Sequence, residues 1–238
     1  MPTILLRADA GDRPPDVLLV EDPDHALRAV ALLDGGQPDA ELISDHRGLP
    51  AFRGRWKGHA VTIQTTGLGA PAVAMVVEEL LMTDARRLLR VAPATALSPS
   101  LKPGEAVVAV SASAIDGTSR TYLGDLTLAP TADFDLTTAL ARIAAAAGLR
   151  VTVGGVATVD VLPDTAGRRE LAAYSILVAE LGSAPLFLLC ARDDARARSG
   201  ARISAGAILW IADEEPAPDH AVQRFLRVAL DALTGPRP

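Results

Sequence analysis

Apolar residues along this chain come in two rhythms: short continuous runs bounded by glycine, proline or charge, and longer stretches recurring every three or four positions. Runs of the first kind read as buried strands and the second as helices, and their alternation predicts an α/β layer architecture. Asp16 to Val20 (DVLLV) is expected to be a strand and His25 to Leu33 the helix that follows. Residues 40–44 (AELIS) and 52–66 (FRGRWKGHAVTIQTT) predict strands, the second folded into a hairpin near Lys57-Gly58. The turn TGLGAP leads into a helix over 72–82, and a strand follows over 86–92. Further strands are expected over 105–112, 150–160, 175–181 and 205–213. Helices are expected over 134–148, closed by Gly148, and over 219–233, stopped by Gly235 and Pro236. No internal repeat or dividing linker is visible, so residues 1–238 predict a single domain.

Composition narrows the partners. A chain of 238 residues with 49% hydrophobic content can bury one large core. A formal charge of -6 and 3% aromatic content argue against nucleic acid, which needs a basic face and usually stacking platforms; a small molecule or a protein is the expected partner. The single cysteine, Cys190, is read as a buried thiol on a helix; it excludes an internal disulfide framework and cannot alone supply a thiolate metal site. His46, His59 and His220 lack metal-ligand spacing, so no metal is expected. The longest apolar region, residues 175–191, is interrupted by Glu180, Gly182 and Pro185 and reads as strand, turn and helix, not as a membrane span. The start MPTILLRADAGDRPPD lacks secretory-signal features, which predicts a cytoplasmic protein. The mixed-sign segment RDDARARSGAR, residues 192–202, is expected to be a solvated loop.

Three clusters carry candidate chemistry, each with a structural alternative. In VEDPDHA, Asp22 or Asp24 follows a strand and either serves a site or caps the next helix. In TTGLGAPA, Gly67 and Gly69 either bring backbone close to a ligand or make a tight strand-to-helix turn. In AILWIADEE, Asp213 follows a strand of buried type, a position suited to a general acid and equally to a turn cap. Arg90, ending the run RRLLR, is a cation near the mouth of the expected sheet, where α/β proteins hold ligands.

In this order, VEDPDHA, DHRGLPAFRGRWKGHAVTIQTTGLGAPAVAMVVEELL, RRLLRVA, PTADFDL, VTVGGVATVD, VAELGSA and LWIAD resemble the purine nucleoside and uridine phosphorylases and the related methylthioadenosine nucleosidases. The likeness spans about Asp16 to Leu233 and is strongest from Arg47 through Arg90. It implies one α/β domain with a mixed, partly barrel-like central sheet flanked by helices, in a homodimer or a hexamer built from dimers. It also implies cleavage of a nucleoside's N-glycosidic bond, with no cofactor and with phosphate as a possible co-substrate. By position, Arg90 and Arg47 match phosphate-binding arginines, the latter serving the neighbouring subunit's site, and His25 falls where a third is expected. Asp213 matches the aspartate serving the leaving purine; Glu180 and Leu181 match the ribose segment and Leu162 the base-stacking position.

Departures from the pattern sit at the same places. Glu21 replaces the glycine whose backbone approaches phosphate, Pro93 replaces a donor serine, and Gly182 replaces the second, hydroxyl-holding glutamate. Leu181 stands for methionine, Leu162 for phenylalanine and Ala212 for the serine before Asp213. Arg90 is therefore expected to be partly neutralised by a carboxylate, Glu21 foremost. Three functions follow from these residues: a nucleoside phosphorylase with a rearranged phosphate site, a phosphate-independent nucleoside hydrolase, or a non-catalytic relative.

Overall fold

Strand β1 (Asp16–Val20) is buried along four of its five residues and pairs in parallel on both sides, with β4 (His59–Thr65) and β5 (Arg87–Ala96). A strand covered on both faces needs apolar side chains at every position, which is why DVLLV shows no alternation. In this computed structural model, which describes residues 3–7, 11, 13–197, 202–212 and 219–235, the sheet grows outward from β1. On one side lie β4, β3 (Ala51–Trp56) and β2 (Glu41–Ser44), antiparallel from β4 to β2. The expected hairpin joins β3 to β4 through Lys57 and Gly58, at φ 51° and 82°, and both amides donate to the Asp34 carboxylate at 3.0 and 2.7 Å.

On the other side β5 is followed by β8 (Val178–Glu180), β7 (Val151–Thr158), β6 (Ala106–Ala114) and β9 (Ser204–Ile211), and β9 returns to pair in parallel with β5. These five strands close into a barrel-like ring, so the α/β domain with a mixed, curved sheet is as expected. Helices cover it in two layers. Alternate side chains of β1 divide between them: Val17 and Leu19 enter the core beneath α2 (Ala70–Met82) and α6 (Ser183–Arg196), while Leu18 and Val20 enter the core beneath α1 (Pro23–Val30), α4 (Phe134–Ala146) and α7 (Asp219–Thr234). Cys190 is buried on α6 as expected, and burial pushes its thiol far above the usual range. Among the described residues no helix is long and apolar enough to cross a membrane.

Hydrophobic patterning misses two helices, α3 (Gly117–Leu123) and α5 (Thr165–Ala172), for a clear reason: neither buries an apolar residue. Their one local signal is an aspartate cap, Asp116 accepting from Ser119 N and Asp164 from Gly167 N. A third difference is at residues 192–196, expected in a loop but forming the last turn of α6. There Arg192 grips the Glu78 carboxylate of α2 with both terminal nitrogens, at 2.9 and 2.7 Å, so charge that reads as solvated ties two helices together. Lastly, β5 does not stop at Ala92 but runs on to Ala96.

Candidate active site

The ends of β1, β5, β7, β8 and β9 converge on one region of the ring, and their last residues decide its chemistry. After Val20 the chain turns into α1, and Asp22 caps that helix by accepting from Asp24 N at 2.8 Å, with Pro23 in the first turn. The acidic turn thus splits its work: Asp22 is spent on the helix, and Glu21 is left at the strand end, 5% exposed. Gly67 and Gly69, at φ 73° and 88°, make the tight turn from β4 into α2. In β5, Pro93 costs no ladder bond. The carbonyl of Ala94 accepts from Ala212 N on the β9 side, so the nitrogen of Pro93 faces the opposite side, where pairing with β1 has ended at Val91.

Arg90 lies at the centre, completely buried. Its Nη2 donates to Oε1 of Glu21, and its Nε lies 3.4 Å from Oε2 of Glu180. Burial alone would lower the guanidinium's pKa, but the two carboxylates reverse the sign and hold it above its ordinary value. The expectation that Glu21 neutralises Arg90 is therefore met, with Glu180 as a second counter-ion.

Glu180 has no oxygen to spare. Its Oε1 accepts from the Thr158 hydroxyl and from Ser183 N at 2.9 Å, and its Oε2 accepts from Gly182 N at 2.8 Å and Ser183 N at 3.0 Å besides facing Arg90. Since α6 starts at Ser183 and its N-cap Gly182 has no side chain, this carboxylate satisfies the first amides of the helix and sits at the positive end of its dipole. Thr158 completes the cap by accepting from Ala184 N at 2.8 Å. Gly182 also makes room: a Cβ there would lie 2.7 Å from Val73 Cγ2 and 3.1 Å from Arg90 Cζ, so the buried guanidinium occupies space that a side chain at 182 would take.

Above this cluster opens a cavity of about 560 Å³. Glu21, Glu180, Leu181, Leu162, Pro93 to Ala96, Ile211 and Ala212 line it, and Arg90 does not: both carboxylates stand between the cavity and the guanidinium. Among the described residues that line it, the one positive charge is Arg168 of α5, whose Nε donates to Pro163 O at 3.1 Å. Sequence reasoning missed Arg168 because it rides on a helix without an apolar face; likewise it missed Thr158, whose role appears only once β7 and α6 are side by side.

The other expected site residues are placed as follows. Glu180, Leu181 and Leu162 are brought together in the cavity wall. His25 is not in that wall: its ring stands edge-on to Trp210 at 5.3 Å, its Nδ1 has no hydrogen-bond partner among the described residues, and burial lowers its pKa although Asp22 opposes the shift. Arg47 is exposed in a short 3₁₀ turn at φ 59°. Asp213 lies outside the described residues, immediately after the cavity-lining Ala212.

The model of the family described as the phosphorylase superfamily matches residues 15–234, which takes in every strand of the sheet. A DeoD-type purine nucleoside phosphorylase from Exiguobacterium sp. is 32% identical over 240 residues, covering 96% of this chain and 97% of that protein. A DeoD-type purine nucleoside phosphorylase from Roseobacter denitrificans is 34% identical over 187 residues, covering 76% and 77%. One from Bacillus subtilis is 31% identical over 199 residues, covering 83% and 84%.

Proposed function

The chain belongs to the phosphorylase superfamily, and from that premise we propose that it is an enzyme cleaving the N-glycosidic bond of a nucleoside with phosphate as the nucleophile. One observation carries the proposal: the cavity is built from the strand ends of the matched region, with Leu162 and Leu181 in its wall beside the charged groups of Glu21, Glu180 and Arg168. Purine nucleosides are the substrate class that the relatives' activity suggests. In the reaction a phosphate oxygen forms a bond to the sugar's anomeric carbon as the bond from that carbon to the base breaks, through an oxocarbenium-like sugar. The electron pair of the broken bond goes to the base, which takes a proton as it leaves. Asp213, one residue beyond the cavity wall, is the proposed donor of that proton. No cofactor is required, since phosphate is consumed as co-substrate. Arg47 is proposed to serve a neighbouring subunit's cavity.

Assembly into at least a homodimer belongs to the same reading. Besides exposed Arg47, exposed apolar side chains support it: Met75 and Met82, seven residues apart on α2, and Leu68 in the turn before the helix are 54%, 66% and 72% exposed. A helix that repeats an apolar residue at that interval presents it on one face, and isologous pairing is the commonest way to cover such a face. A cytoplasmic location is proposed with it.

The test is a product assay across several purine and pyrimidine nucleosides, with and without phosphate. Free base together with a pentose 1-phosphate, formed only when phosphate is present, is the expected result. Base and free pentose released equally without phosphate would make the enzyme a hydrolase, and no release at all would sink the proposal.

A further inference from the structure

Taking the phosphorolytic reading as its basis, we propose that Glu21 is an internal competitor of phosphate: its carboxylate holds the place on Arg90 that a phosphate oxygen would take, so phosphate must displace it to bind. Four observations lead there. First, Arg90 is fully buried and absent from the cavity wall, whereas Glu21 and Glu180 are in that wall, so an anion in the cavity meets two carboxylates before it meets the guanidinium. Second, the two carboxylates outnumber the single guanidinium, so an incoming phosphate finds no surplus positive charge while both remain in contact with it. Like charges held close disfavour one another, and burial strengthens the effect.

Third, the two carboxylates are held very unequally. Glu180 is fastened by the Thr158 hydroxyl and the amides of Gly182 and Ser183, and to withdraw it would uncap α6. Among the described residues the Glu21 side chain hydrogen-bonds only to Arg90, so that contact is the one polar tie on it. Glu21 is the releasable partner, and the cavity beside it gives its carboxylate somewhere to go. Fourth, Arg90 Nη1 is buried without a hydrogen-bond partner among the described residues. A guanidinium that pairs through Nη2 and Nε and keeps a donor in hand has the forked geometry to accept an oxyanion once the acid beside it moves.

Glu21 is thus a specificity-determining residue for the co-substrate. It raises the phosphate concentration that turnover requires, because binding must first displace an internal ligand. The end of α6, a second natural anion site, is closed in the same way by Glu180.

The experiment uses the full chain, native and with Glu21→Gln or Glu21→Gly. Inorganic phosphate is titrated into each by calorimetry at constant ionic strength, and KM for phosphate and for nucleoside are measured separately. Glutamine keeps the size and a hydrogen bond to Arg90, so this variant is expected to fold even if glycine is not tolerated. Expected is a phosphate Kd at least tenfold lower in Glu21→Gln than in the native protein, with the KM change confined to phosphate. Equal Kd values would overturn the proposal, as would absence of phosphate binding to both proteins. Base release is scored independently: if phosphate binds the variant more tightly but no nucleoside is cleaved by either protein, the competitor role stands and the phosphorolytic reading falls.

Discussion

Replacing Thr158 by valine tests whether the cap on α6 is what fastens Glu180. Valine has nearly the shape of threonine, so the fully buried site keeps its packing and loses only the hydroxyl. Two interactions go with it. Glu180 Oε1 loses an O–H donor, a charge-assisted bond of roughly 1.5–3 kcal/mol, although Ser183 N stays with it. The amide of Ala184 loses its buried acceptor at 2.8 Å, and an unsatisfied buried N–H costs roughly 1–3 kcal/mol. Together these give about 4 kcal/mol, and for a chain of this size about 2–4 °C of Tm accompanies each kcal/mol. A fall in Tm of about 8–16 °C is therefore expected. Thr158→Ser is the control, since it keeps the hydroxyl and loses one methyl, worth about 1 kcal/mol. Urea denaturation with unchanged slope would report both values. If valine and serine variants differ by less than about 1 kcal/mol, the Thr158 hydroxyl does not secure Glu180, and its fastening rests on the amides of Gly182 and Ser183 alone.

Asp213→Asn should lower turnover by about 10²–10⁴-fold while leaving the unfolding midpoint almost unmoved; an unchanged rate would remove the aspartate from the chemistry. His25 has its pKa lowered from 6.5 by burial against Trp210, so the folded protein binds fewer protons there than the unfolded chain. Its contribution to stability is therefore complete above about pH 6.5 and declines as pH falls through the folded-state value, and His25→Leu should flatten that limb of a Tm-against-pH curve. Gly182→Ala should destabilise by about 1–3 kcal/mol, because the new methyl meets Val73 Cγ2 at 2.7 Å and Arg90 Cζ at 3.1 Å. Urea melts of native and variant would measure it.

The sheet was legible in the chain wherever burial was two-sided, because β1 and β9 show as near-continuous apolar runs, and β5 as one broken by Arg90, that need no knowledge of their partners. Helices were legible when they pack an apolar face on the sheet, as α2 and α7 do, and illegible when they do not. That limit hid α5, and with it the cation at the cavity, Arg168. The pairing of Glu21 with Arg90 could be anticipated because adjacent parallel strands place their ends together. What no local pattern conveys is that Glu180 is consumed by amides that follow it in the chain and by a hydroxyl from β7. A ribose-facing carboxylate and a helix-capping one carry the same letter, and only the supply of nearby donors tells them apart. Similarly, Arg192 to Arg196 read as solvated charge because the partner Glu78 lies more than a hundred residues away.

The space at Gly182 makes substitutions at positions 21 and 182 unequal in cost. Against the pattern that the sequence resembles, a glycine and a glutamate, positions 21 and 182 hold the reverse, and Arg90 occupies the space that a side chain at 182 would take. Restoring glutamate at 182 first would drive a side chain into Val73 and the guanidinium and add a third acid beside it. Restoring glycine at 21 first leaves Arg90 still paired with Glu180 and costs no steric conflict. The two first steps therefore differ in charge, since one removes an acid from Arg90 and the other adds one, while the contact with Val73 meets a side chain at 182 in either order. Anyone rebuilding the site one residue at a time meets the smaller electrostatic cost by starting at position 21, and must make room beside Val73 before a side chain can stand at 182.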